Sequence, residues 1–171
     1  MRSGLLGRIA WWAVVVVLTV ATLAVTALGV WEMGLKSQQP PPVADQFADR
    51  QAVTHAASAG TVKVLSYTPD TLDQDFDAAS AMLTGDFLAY YRQFTSQVVA
   101  PAARQKRVTT KATVPRAGVE TLSTDKAAIL VFVTQTTTSA DQPAPAATSS
   151  SVRVGLAKVQ GRWLINSFNP V

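Results

Sequence analysis

Four aspartates, Asp70, Asp73, Asp75 and Asp77, fall within the stretch TPDTLDQDFDAAS at 68–80 of a 171-residue chain that carries only 11 acidic residues. Carboxylates this dense are what a divalent cation or a general acid–base pair requires. A metal set would also need histidine or cysteine partners or calcium-loop spacing. A catalytic pair would need one acid buried, so that the two pKa values separate. Neither condition is met: the chain has no cysteine and one histidine, His55. The same aspartates stand where a helix opens. Thr68-Pro69 interrupts what precedes, and Thr71 followed by Gln74 has the spacing of a capping box. Unpaired amides and the helix dipole favour negative charge in the first turns, so the aspartates are read as helix-start residues.

The remaining candidates are scattered. Glu120 and Asp125 lie near a strand end, and His55 lies on a helix face opposite its apolar stripe. Tyr90 and Tyr91 could donate hydrogen bonds inside a pocket, but their helical spacing fits packing. The nine glycines are dispersed, so no phosphate-binding loop is present. The expectation is therefore no catalytic residue, no cofactor-binding residue, no cofactor, no metal ligand and no enzyme. The net charge of +4 is spread along the chain, and the one dense basic run, Arg104, Lys106, Arg107 and Lys111, has no interleaved aromatics. Nucleic acid is not an expected partner. The run reads as solvated surface, with attraction to anionic headgroups as a second reading.

The strongest element is the uncharged stretch IAWWAVVVVLTVATLAVTALGVW at 9–31. As a helix it is long enough to cross a hydrocarbon core of about 30 Å. Trp11, Trp12 and Trp31 mark both rims. Arg2 and Arg8 precede the span, which places the amino terminus in the cytoplasm and the rest of the chain outside. A cleaved signal peptide is the alternative, but its apolar region would be only ~7–15 residues. The expected organisation is a cytoplasmic end at 1–8, a single-pass span of the inner membrane at 9–31, a proline-rich tether at 32–42 that reaches at most ~40 Å, and an extracytoplasmic α+β domain at 43–171.

Within that domain, Val43, Phe47, Val53, Ala57, Val64 and Leu65 form an apolar helical stripe, with Gly60 and Val62 disturbing it. A second helix follows Thr71, with Leu72, Phe76, Ala79 and Leu83 inward. A third is capped by Thr84. Its stripe of Phe87, Tyr91, Phe94 and Val98, with Tyr90 beside it, is expected to be the aromatic core face and to end before Pro101. Four strands are then expected over 107–122, 126–138, 150–160 and 162–171. The second, apolar on both faces through Ile129 to Val133, is expected to be central and covered, and Pro115 makes the first an edge or bulged strand. SADQPAPAATSS at 139–150 is expected to be a mobile tip without fixed shape. Helices followed by an antiparallel meander predict a sheet curling over a helical layer.

The anchor, VLSYTPDTLDQDF at 64–76, LTGDFLAYY at 83–91, AAILVFV at 127–133 and GRWLINSFNPV at 161–171 together resemble the Mce-associated membrane proteins of actinobacteria, small anchored proteins encoded alongside mammalian-cell-entry transporters. What the resemblance implies is a cone-shaped domain of three helices on a curved four-stranded sheet, similar to the nuclear transport factor and ketosteroid isomerase superfamily and facing the periplasm. It also implies a non-enzymatic accessory role: stabilising or assembling an Mce-type lipid or sterol transport complex, with the membrane, the transporter subunits or permease, and a lipid or sterol as partners. Three alternatives stand beside it: a lipid- or sterol-binding carrier, a scaffold similar to type IV secretion assembly factors, and a small isomerase or dehydratase.

Overall fold

The computed structural model describes residues 46–171, so the expected cytoplasmic end, span and tether, and residues 43–45, lie outside the described residues. Among the described residues no helix is long and apolar enough to cross a membrane. The order is α1 (Phe47–Leu65), α2 (Leu72–Ser80), α3 (Gly85–Phe94), a π-helical segment (Thr95–Val99), α4 (Ala100–Lys106), then strands β1 (Thr109–Leu122), β2 (Lys126–Thr138), β3 (Ala146–Val159) and β4 (Arg162–Pro170). The strands form one antiparallel sheet in the order β1-β2-β3-β4. Three helical rods therefore cover a four-stranded sheet, the α+β arrangement expected.

The core follows the two periodicities. Val53, Ala57, Gly60, Thr61 and Val64 are the buried positions of α1, spaced by four, three, one and three. They meet Ile129, Val131 and Val133 of β2 and Val152, Val154 and Leu156 of β3, all fully or nearly fully buried. Phe47, expected in the stripe, is 79% exposed. The helix runs unbroken through Gly60 because Ile165 of β4 packs onto the backbone there; a side chain at that position would have no room. Thr61 is fully buried and its hydroxyl has no hydrogen-bond partner among the described residues. Thr61→Val is expected to stabilise the domain by about 1 kcal/mol, since it removes an unsatisfied polar group and keeps the shape. Scanning calorimetry should read a Tm rise of roughly 3–5 °C.

Several boundaries differ from the sequence expectation for identifiable reasons. Neither Thr71 nor Thr84 makes a side-chain cap bond. Asp75 replaces the expected Gln74 as the reaching residue: its carboxylate accepts the Thr68 amide at 3.2 Å and the Thr71 hydroxyl at 2.6 Å. Pro101 does not end the third rod. The π turn before it hands the Ala100 amide to Thr95, five residues back, and the chain continues helically to Lys106. The segment 139–150 has a definite form, since β3 begins at Ala146. Its tip is pinned where Ala140 donates to the Lys106 carbonyl at 2.8 Å. β2 is central in the sheet but not covered: Phe132 is 46% exposed on the outer face. β1 is an edge strand with irregularities at Val114-Pro115 and at Glu120, as its proline suggested. Gln160 and Gly161, both at positive φ, make the two-residue turn into β4.

Candidate functional site: an aromatic cleft

The third rod carries the site. Its stripe does not form the core face expected of it. Tyr91 is buried, whereas Tyr90 is 59% exposed, and Phe94 and Val98 are also open to solvent. Phe87 and Phe168 of β4 stack at 5.8 Å with planes 7° apart. Tyr90 lies 6.5 Å from Phe87, and Phe94 stacks on Tyr90 at 5.7 Å and 9°. The result is a ladder of rings running from the sheet out along the helix. A second chain of rings, edge-on, links Tyr67 to Phe76 at 5.6 Å and Phe76 to Tyr91 at 6.2 Å. Between the two chains opens a cleft of about 400 Å³, closed at the sides by Val64, Leu65, Val99 and Pro170.

The π segment shapes its wall. Its first and last residues, Thr95 and Val99, both line the cleft, and the Thr95 hydroxyl bonds back to the Tyr91 carbonyl at 2.8 Å. The polar groups present are mostly occupied. The Tyr91 hydroxyl donates to the Val64 carbonyl at 3.3 Å, serving an orphan acceptor in the last turn of α1. Burial, then the neighbouring Tyr67 and Asp75, push the Tyr91 phenol well above the ordinary tyrosine value. It is neutral and structural at physiological pH. Gln135 of β2 is the one amide in the lining, and no charged side chain lines the cleft. Such a lining offers π faces and apolar contact rather than acid–base chemistry.

The residues singled out from sequence do not converge on it. Asp70 and Asp73 pair with Arg107 and Arg104 at 3.2 and 2.8 Å, so the acidic helix start and the basic run neutralise one another on an exposed surface. Among the described residues no cluster of three or more metal-ligating side chains occurs. Glu120 accepts two bonds from Arg153 at 2.7 and 3.2 Å, across the outer face of β2, and that guanidinium holds its carboxyl below the usual range. Asp125 sits in the β1–β2 turn, where its carbonyl accepts the Lys158 amide at 2.8 Å. His55 lies exposed in an open groove between α1 and residues 117–119 of β1 and does not line the aromatic cleft. Sequence reasoning missed Phe168, Thr95, Gln135 and the openness of the stripe. A proline inside a continuing apolar pattern was the signal for the π turn.

No protein-family model matches the chain. An uncharacterized protein of Mycobacterium tuberculosis, Rv1362c, is 56% identical over 137 residues, or 80% of this chain. The chain spans only 62% of that protein's length. The outer membrane protein Rv1973 of the same organism is 44% identical over 138 residues, which cover 81% of this chain and 86% of the relative. Among solved structures, an IcmL-like type IV secretion system protein of Legionella pneumophila matches with a TM-score of 0.60 at 10% identity, over 71% of this chain and 91% of that one. The VirB8 protein of Agrobacterium tumefaciens matches with a TM-score of 0.56 at 16% identity, over 74% and 94%. At these identities the shared property is the fold.

Proposed function

The chain belongs to the same family as the outer membrane protein Rv1973 of Mycobacterium tuberculosis, and from that membership and the open aromatic stripe we propose that its folded domain is a non-enzymatic docking module that helps assemble a protein complex in the cell envelope. The observation that carries this reading is the exposure of Tyr90, Phe94 and Val98, at i, i+4 and i+8 on one helix. Exposed aromatics on adjacent turns, beside an apolar cleft and away from any buried charge, mark a surface that gains by being covered. The fold supports the same reading, because it is the one found in type IV secretion proteins such as VirB8. In this arrangement the span expected at 9–31 holds the domain beside the membrane, so that a modest interface suffices once the partner shares that membrane.

The partner follows from which complex recruits the domain. A secretion-like scaffold is the arrangement the fold favours, and an Mce-type transporter is the one the motifs at 64–76, 83–91 and 161–171 favour. The test is affinity purification of the full chain from native membranes in mild detergent, wild type against Tyr90→Ser/Phe94→Ser. Envelope partners should co-purify with the wild type and fall about tenfold in the variant, with the folded domain's Tm lowered by only a few degrees. Equal recovery with both proteins would remove the aromatic stripe from any docking role. Recovery of Mce subunits or of secretion-type subunits decides the complex.

A further inference from the structure

β3 outruns its neighbour. It pairs with β2 from Thr137 opposite Ala146 to Lys126 opposite Ala157, but its pairing with β4 stops at Val152 opposite Pro170. The last contact on that side is the Val171 amide donating to the Ser151 carbonyl at 3.1 Å. Because strand residues repeat every two, Ser149 and Ala147 turn their N–H and C=O groups the same way as Ser151. Those four groups have no partner among the described residues, and Ala147 to Ser150 are exposed. The opposite edge of this arm is closed, since Thr110 of β1 exchanges two bonds with Tyr67 and the Ala112 amide donates to Ser66. The open edge is also held in place, because Ala140 at the hairpin tip is bonded to the end of α4.

Unpaired strand groups at this spacing accept one kind of ligand, an extended polypeptide. Natural edges usually discourage that with lysine, proline or an inward charge. Residues 146–151, Ala-Ala-Thr-Ser-Ser-Ser, carry none of these and no bulky side chain that would select a particular foreign sequence. A second copy of the same edge fits without repulsion. We propose that the edge is a self-association site, at which two copies of the domain pair antiparallel through Ala147 to Ser149 about a two-fold axis at Thr148. With the axis there, Ala147 of each copy faces Ser149 of the other. All four outward groups of each copy are then satisfied, and the bond between Val171 and Ser151 is left intact. Thr148 meets its own copy as a non-hydrogen-bonded pair, with Cα atoms about 4.5 Å apart and the two threonines in favourable contact. A three-strand arm on each side becomes one continuous six-strand sheet. Four hydrogen bonds make a small, weak and concentration-dependent contact, which separates this inference from the docking surface on the helical side.

The chain has no cysteine, which makes the test direct. In the full chain, in mild detergent under oxidation, Thr148→Cys should form a covalent dimer, because that Cα separation lies within the disulfide range. Thr124→Cys, in the turn at the other end of the sheet, should not. Thr148→Lys and Thr148→Glu should each weaken dimerisation about tenfold by placing like charges opposite one another, and an equimolar mixture of the two should restore it. Thr148→Cys crosslinking no faster than Thr124→Cys would overturn the proposal. So would a mixture of the two charged variants that stays monomeric, since only an edge that pairs with itself is rescued by opposite charges at one position.

Discussion

Gly60→Leu is expected to destabilise the domain by about 3 kcal/mol or more, enough to leave a large unfolded fraction at room temperature. A Cβ at Gly60 would stand 2.5 Å from the Cδ1 of Ile165 and 3.3 Å from its Cγ1. The backbone of Ile165 is held in place. Its amide donates to the Met82 carbonyl at 2.9 Å, its carbonyl accepts the Thr84 amide at 2.8 Å, and it pairs with Leu156 across the sheet. Helix α1 would have to lift from β4 and expose the apolar stripe from Val53 to Val64. Urea denaturation should show the midpoint collapsing at constant slope. A gentler pair isolates the cause. Gly60→Ala gains up to about 1 kcal/mol of helix propensity, and Ile165→Val removes the obstructing Cδ1. Gly60→Ala should nonetheless destabilise the wild type, where its Cβ meets Cδ1, and cost less in the Ile165→Val background.

Tyr91→Ala is the second large effect, with an expected loss of about 3–5 kcal/mol. The ring packs against both Phe76 and Phe87, joining the edge-on chain to the stacked ladder. Tyr91→Phe keeps the ring and loses only the bond to the Val64 carbonyl, at about 1 kcal/mol. The two variants therefore divide packing from hydrogen bonding. The phenol also gives alkaline pH a definite sign. Its folded-state pKa lies above the unfolded value near 10, because burial disfavours the phenolate. Stability from this group is whole below pH ~10 and is lost as pH rises toward the folded value, at no more than about 1.4 kcal/mol per pH unit. Denaturant midpoints measured from pH 9 to 11.5 should fall in the wild type and fall less in Tyr91→Phe.

Element types were legible in the chain because each rests on local periodicity. The β-branched apolar run in 126–138 and the helical spacing of Val53, Ala57 and Val64 on either side of Gly60 place both sheet and helix. The helix-start reading of the aspartates also agrees with the structure, although Asp75 rather than Gln74 makes the bonds. What periodicity could not reveal was which apolar faces end up covered. Phe94 and Val98 satisfy a core stripe as well as Val53 and Ala57 do, yet they stay open to solvent. Phe132 is the same case on the other side of the sheet. The site was therefore visible as residues and hidden as a site, because the ring of Phe168 arrives from 81 positions beyond Phe87 by a register no local pattern encodes. Likewise the pairing of Glu120 with Arg153 spans two strands and turns a candidate acid into a surface ion pair, too exposed to be worth much.

The five-residue winding at Thr95–Val99 makes chain length, and not only side-chain chemistry, part of the fold's information. Ala100 and Ala103 reach the interior, and Arg104 and Arg107 reach Asp73 and Asp70, because the widened turn absorbs one residue that an α-helical turn would have carried round the rod. Excising one residue between Thr95 and Val99 would let the turn close with four and leave 100–106 on the same faces, whereas inserting one more would swing them about 100° around the rod. Two alanines would then turn outward and two guanidiniums would lose their carboxylates. This stretch can shed a letter but cannot gain one.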